Sequence, residues 1–169
     1  DGFKGDRHGS FERESWGIGD KQPAGVLRRN ERQWSAVSQE ELAKISQEMD
    51  LSEPVNAGSI GANLCISGVP NLSQLPKGTI FKFPSNAELM VEEYNPPCKG
   101  VSKKIASLHT TISGEPLKEN AFSEAAKFSR GLVGVIEVAG EINQGDQFEV
   151  LIYEPPRWLS KIYRNYNRG

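Results

Sequence analysis

Two small clusters of residues carry the chemistry this chain can offer. The first is Cys98, set in Tyr94-Asn95-Pro96-Pro97-Cys98-Lys99-Gly100 directly after an alternating apolar run. Two prolines restrict the loop that carries the sulfur. The neighbouring lysine favours thiolate, the form that ligates metals and attacks electrophiles. Such a thiol suits a soft metal or a transferable sulfur atom, and a generic loop cysteine is the competing reading. The second cluster is Gly5-Asp6-Arg7-His8-Gly9, which puts a carboxylate, a guanidinium and an imidazole between glycines that let the backbone approach an anion closely. A merely solvated loop has the same composition.

Other chemistries are excluded by what the chain lacks. His8 and His109 are the two histidines, and neither stands at zinc-ligand spacing from the cysteines. There is no nucleophile elbow, no Walker-type phosphate loop and no dinucleotide fingerprint; Gly58-Ser59-Ile60-Gly61-Ala62-Asn63 precedes a strand instead of opening a helix. The 20 basic and 22 acidic residues are dispersed along 169 positions, which gives no electrostatic reason to expect nucleic acid or an anionic membrane as partner. Two distant cysteines make no disulfide framework, and no apolar run reaches the ~18 residues a spanning helix needs. The expectation is a cytoplasmic protein with reduced thiols. Asp1 is not a methionine, so a first strand or a leader can precede it.

The elements that must position these clusters read as follows. Residues 1–32 are polar and glycine-rich, with isolated apolar residues, and predict a long exposed loop. Gln33 to Val37 predicts a strand running into a helix, with Ser38 as N-cap and Glu41 completing a capping box; Leu42, Ile45 and Met49 then fall on one face. Asn63 to Ser67 predicts a strand, and Thr79 to Phe83 with Ala87 to Glu92 a hairpin turning at Pro84-Ser85-Asn86. Residues 99–119 predict a loop with a short helix, Phe122 to Phe128 a second helix, and Leu132 to Val138 and Phe148 to Tyr153 the clearest strands. After Pro155-Pro156, residues 157–166 predict an amphipathic C-terminal helix with Trp158, Ile162 and Tyr166 on one stripe. Strands outnumber helices without βαβ alternation. One domain over residues 1–169 is expected, mixed α/β and strand-rich, a β-barrel or curled sheet with peripheral helices.

The order of the clusters adds a further reading. Gly5-Asp6-Arg7-His8, Arg32 to Ser38, Gly61 to Gly68, Leu72 to Thr79, Pro97-Cys98, Arg130 to Ile136 and Gly140 to Asp146 follow one another in a way that resembles the MOSC family, the domain that closes molybdenum-cofactor sulfurases. The resemblance is to the small stand-alone bacterial type. It implies a barrel related to that of pyruvate kinase and binding of the molybdenum cofactor (molybdopterin), a pterin with a phosphate and a dithiolene-bound metal. By the same resemblance Cys98 is the metal ligand and catalytic residue, and Asp6, Arg7, His8, Ser38, Asn63 and Lys99 are the cofactor-binding residues. Amidoxime-reducing relatives carry an arginine two residues before the asparagine that matches Asn63; this chain has Gly61.

Three functions follow as alternatives: a molybdenum-cofactor carrier or oxidoreductase acting on N-hydroxylated compounds, a sulfur-transfer protein with a persulfide on Cys98, and a cofactor-free binding module that keeps only the fold. With no iron–sulfur cysteine set and no flavin fingerprint, the first two need an external redox partner or sulfur donor. Pyridoxal phosphate belongs to the aminotransferase-like domain of full-length sulfurases and is not expected here.

Overall fold

The computed structural model describes residues 1–20 and 22–159. In chain order the elements are β1 (Glu12–Glu14), β2 (Leu27–Arg29), β3 (Trp34–Ser38), α1 (Gln39–Glu48), β4 (Leu64–Ile66), β5 (Ile80–Lys82), β6 (Glu88–Tyr94), α2 (Lys99–Leu108), α3 (Ala121–Ala125), β7 (Leu132–Val138) and β8 (Glu149–Leu151). A 3-10 turn at Leu72–Gln74 follows β4.

The last six strands form one sheet in the order β4-β3-β7-β6-β5-β8, with β3 and β4 parallel and every other pair antiparallel. The sheet curls into a half-barrel whose edges are β4 and β8. Register shifts in the β6–β7 pair, at Glu88/Leu89 and Val91/Glu93, bend it as bulges do. Trp34, Phe81, Leu89, Val91 and Leu132 fill the inside of the curl. Trp34 fits because Gly134 faces it: a Cβ there would lie 1.9 Å from the Met90 carbonyl oxygen and 2.5 Å from the indole. The indole N–H donates to the Val135 carbonyl at 2.9 Å. A second apolar cluster joins Val37 to the three helices through Leu42, Ile45 and Met49 of α1, Ile105 of α2 and Phe122 of α3.

The expected β3–α1 junction is present: Ser38 Oγ accepts from Glu41 N at 3.2 Å. The reciprocal half of the capping box is not made. Glu41 instead accepts from Ser73 N at 3.1 Å and Ser73 Oγ at 2.8 Å, tying α1 to the 3-10 turn. The β5–β6 hairpin is also as expected, with Asn86 at φ +66° in its turn.

Three expectations need correction. Residues 1–32 contain the β1–β2 hairpin, held by ionic bonds: Arg13 donates to Asp20 at 2.8 Å and to Glu31, and Arg28 pairs with Asp20 at 3.2 Å. These polar strands lack the apolar alternation by which strands are recognised. Residues 99–108 form a full ten-residue helix, so Cys98 is its N-cap and not part of a free loop. The last strand is only Glu149–Leu151. Of the expected C-terminal helix, residues 157–159 are helical, with Trp158 exposed, and Ile162 and Tyr166 lie outside the described residues.

Candidate functional site

The Asp6-Arg7-His8 turn is fixed from several directions. Asp6 N donates to Phe3 O at 3.0 Å and Gly9 N to Asp6 O at 3.1 Å. Asn30, almost fully buried, donates through Nδ2 to His8 O at 2.6 Å and Ser10 O at 2.8 Å. The Asp6 carboxylate accepts from His8 N at 2.6 Å and from Asn63 Nδ2 at 2.6 Å. The His8 N–H, aided by Asn63, outweighs partial burial and holds the Asp6 carboxyl below its usual range.

Asn63 is spoken for on its other side as well. Its Oδ1 accepts from Ser35 N at 2.8 Å and Ser35 Oγ at 3.0 Å. It is therefore a clamp between the turn, β3 and the entry to β4, and Asp6 and Asn63 come together although 57 residues apart.

Arg7 and His8, both exposed, line a cavity of about 290 Å³ with Arg13, Trp16, Asn30 and Arg32. Arg13 stacks on the Trp16 ring at 3.9 Å from its centroid, and Arg32 lies 5.7 Å from it. Trp16 remains 60% exposed, so the cavity offers a flat apolar face beside cationic groups.

Cys98 sits elsewhere on the surface. Asn95 N donates to Gly131 O at 2.9 Å, which anchors the Pro96-Pro97 segment to the start of β7, and α2 begins one residue after the thiol. Cys98 is exposed and its side chain makes no capping hydrogen bond. Lys99 is exposed on the first turn. Arg130, 6% exposed, donates through Nη2 to Ile60 O at 3.0 Å. Burial lowers the Arg130 pKa, the negative charge available at Cys98 counters this, and Arg32 adds to the lowering. Tyr94, the residue before Asn95, has its phenol pKa raised by burial; its hydroxyl donates to Ala126 O at 3.2 Å and accepts from Phe128 N at 2.8 Å.

Arg7 lines the 290 Å³ cavity and Cys98 does not. Arg32 connects their neighbourhoods, because it lines the Arg7 cavity while its guanidinium donates to Asn95 Oδ1 and to Glu93 at 3.0 Å. Ser38 is fully buried, and its hydroxyl is used by Glu41 N and by donation to Glu40 at 2.8 Å, which makes it a helix cap. Arg32, Arg130 and Trp16 were not singled out from sequence as site residues. Arg32 and Arg130 stand in two of the ordered segments, and for Arg130 the available signal is its place directly before Gly131 and an apolar strand.

A larger cavity, about 980 Å³, runs along β4 and the turn before β8, lined by residues including Asn63, Cys65, Ile66, Phe83 and Phe148. Cys65 is exposed too, so exposure alone does not separate the two thiols. Burial raises the Cys65 pKa, as does Glu40, which disfavours its thiolate. No group of three or more His, Cys, Asp or Glu suited to a metal ion occurs among the described residues, and no helix there is long and apolar enough to cross a membrane.

Comparison with known proteins gives concordant results. YuaD of Bacillus subtilis (strain 168), whose name assigns it provisionally to metal–sulfur cluster biosynthesis, is 35% identical over 125 residues, which are 74% of this chain and 63% of that protein's length. The crystal structure of the YuaD protein from Bacillus subtilis superposes with a TM-score of 0.82 at 32% identity, covering 90% of this chain and 82% of the other. The MOSC domain profile matches residues 6–149, a span that runs from the Asp6 turn to the first residue of β8 and encloses both arginine-lined surfaces. The chain belongs to the MOSC domain family.

Proposed function

We propose that this protein binds the molybdenum cofactor, with Cys98 as the protein ligand to the metal. Membership of the MOSC family and the name of its YuaD relative support a general molybdenum- or sulfur-related role. The observation that carries the finer reading is the setting of Cys98: an exposed sulfur, free of any capping bond, held at the start of α2 by a proline pair anchored to β7. A thiolate is a natural donor to a soft metal centre.

The residues present suit both ends of such a group. The soft donor is at Cys98, and Arg7, which has no ion-pair partner among the described residues, stands beside the exposed Trp16 face where a planar ring and an anionic group can be received. Arg32 lies between the two regions. When bound, the cofactor supplies a redox-active metal able to exchange an oxygen or sulfur atom. The chain's own contribution is to present the sulfur, to fix the Asp6 turn through Asn63, and to hold Arg32 in place through Asn95 and Glu93. Electrons or sulfur come from an external partner.

The test is molybdenum and pterin content of protein made in cofactor-competent and cofactor-deficient hosts. Cys98→Ser is expected to lose the metal and melt within a few degrees of the parent, because an exposed thiol buries little surface. Equal molybdenum in parent and variant, or none in either, refutes the assignment. A second reading, sulfur transfer, rests on the same exposed thiol together with the relative's metal–sulfur name. It predicts that intact-mass analysis finds one additional sulfur atom on Cys98, removed by a reducing thiol.

A further inference from the structure

Arg32 is anchored at both ends. Its backbone N–H donates to Asn30 Oδ1 at 3.0 Å, and the same buried asparagine donates to His8 O and Ser10 O, which ties Arg32 to the turn that carries Arg7. Its guanidinium is divided between two acceptors: Nη1 donates to Glu93 at 3.0 Å and Nη2 to Asn95 Oδ1. Glu93 and Asn95 are two positions apart at the end of β6, where strand alternation turns both side chains to the same side.

The two acceptors hold Arg32 unequally. The Glu93 side chain is 48% exposed, and an ion pair so open to water contributes little. Asn95 is 6% exposed, so withdrawing Arg32 would leave its carbonyl oxygen buried without that donor. Nη1 is therefore the prong that can change partner, and Nη2 the one that stays. The path from Nη2 to Cys98 is stiff. Asn95 N donates to Gly131 O at 2.9 Å, and Pro96 and Pro97, each with its φ locked, lead directly to the thiol.

The cavity of about 290 Å³ is where a competitor for Nη1 can sit. Arg7, Arg13, Glu14, Trp16 and Arg32 are among its walls. Arg13 is committed to Asp20 at 2.8 Å and to Glu31, and its guanidinium lies 3.9 Å from the Trp16 centroid. Glu14 is exposed, so its charge is screened by solvent. An anion entering the cavity meets Arg7, which has no ion-pair partner among the described residues, and Arg32, whose carboxylate partner is the weakly held one.

We infer that Arg32 is a positioning residue that couples this cavity to Cys98: an anion bound beside Trp16 draws Nη1 from Glu93, and Nη2 passes the change through Asn95 to the Pro96-Pro97-Cys98 segment. The inference rests on the reading above that Cys98 is the working thiol, and adds that the thiol is regulated by occupancy of a cavity it does not line. With the anion in place Arg32 has two firm partners instead of one, and the segment that presents the sulfur stiffens.

The probe is phenyl phosphate, a planar ring with an anionic end, and the Cys65→Ser chain leaves one thiol. Calorimetry measures binding, amide exchange of Asn95 N–H the stiffness of the segment, and alkylation by uncharged iodoacetamide the reactivity of Cys98. Saturating phenyl phosphate should slow both Asn95 exchange and Cys98 alkylation about fivefold, the lower end of the coupling range between sites. Glu93→Gln, which frees Nη1, should tighten phenyl phosphate binding about two- to fivefold. Asn95→Ala should bind the probe and lose the Cys98 response, which separates coupling through Asn95 from a direct effect of the anion's charge on the thiol. Arg32→Lys keeps the charge but cannot span two acceptors, so it should retain part of the binding and lose the response; a merely structural role would let the response follow the binding.

Phenyl phosphate that does not bind, or that binds and leaves Asn95 exchange and Cys98 alkylation unchanged, overturns the inference, as does an Asn95→Ala chain with the parent's full response. If Asn95→Ala does not fold, Arg32→Lys decides in its place. Coupling in a protein that retains no molybdenum would refute the cofactor assignment and leave Arg32 its role. Molybdenum retention without coupling would do the reverse.

Discussion

Gly131→Ala is the sharpest test of how the sheet positions the Cys98 region. The new Cβ would fall 2.1 Å from Ala36 O, 3.1 Å from Ala36 C and 3.0 Å from Val37 Cγ1. Ordinary carbon–oxygen contacts need about 3.3 Å or more, so β3 and the start of β7 must part by roughly 1 Å. They part where Ala36 pairs with Leu132, next to a core cluster that includes both. The positive φ costs about 1 to 2 kcal/mol for any residue with a Cβ, and the forced overpacking ~1 to 3 kcal/mol more. The total, ~2 to 5 kcal/mol, lowers Tm by roughly 5 to 15 °C for a chain of this length. Thermal melts followed by circular dichroism measure it, with Gly100→Ala as the contrast. Gly100 lies in α2 with open space around it, so alanine there should be neutral or raise Tm by about 1 to 3 °C. A Gly131→Ala protein that melts within about 2 °C of the parent, or one that melts no lower than Gly100→Ala, would refute the close-approach argument.

Glu92, nearly buried, receives Arg29 and Lys77; burial alone would raise its carboxyl, and the two cations bring the net shift below the ordinary value. Its stabilisation is present above the unfolded carboxyl range and lost as pH falls through the lower folded value. Glu92→Gln should therefore cost ~1 to 3 kcal/mol near neutrality, with the gap to the parent in urea midpoints closing below about pH 4; a gap constant with pH contradicts the pairing. Glu41 behaves in the opposite sense, because burial raises its carboxyl despite two bonds from Ser73. The parent should lose stability relative to Glu41→Gln as pH rises from the unfolded carboxyl range toward neutrality, and the reverse slope would show that the carboxylate is the favoured buried form. Asn63→Ala removes the clamp on the Asp6 turn at a cost of ~1 to 3 kcal/mol, and amide exchange at residues 6–9 should rise selectively; unchanged exchange there would mean that Asn30 alone holds the turn.

The sequence by itself determined what local chemistry and short-range periodicity decide. Ser38 and Glu41 mark the start of α1, Leu42, Ile45 and Met49 its inner face, and the apolar runs on either side of Asn86 the β5–β6 hairpin, because a cap, a helical stripe and a turn each involve residues within a few positions of one another. The ordered segments from Gly5 to Asp146 pointed to the family, whose profile matches residues 6–149. Tertiary structure decided the rest. The β1–β2 hairpin is held by the Arg13, Asp20, Glu31 and Arg28 network, which polar residues scattered over nineteen positions do not announce. Glu41 does not close the capping box because its carboxylate is taken by Ser73, thirty-two positions away. The state of Arg130 is likewise decided at long range: it is buried with Nη2 on Ile60 O, seventy positions away, and Nη1 without a partner. An unmet donor is a property of everything packed around it, and no window of sequence contains that information.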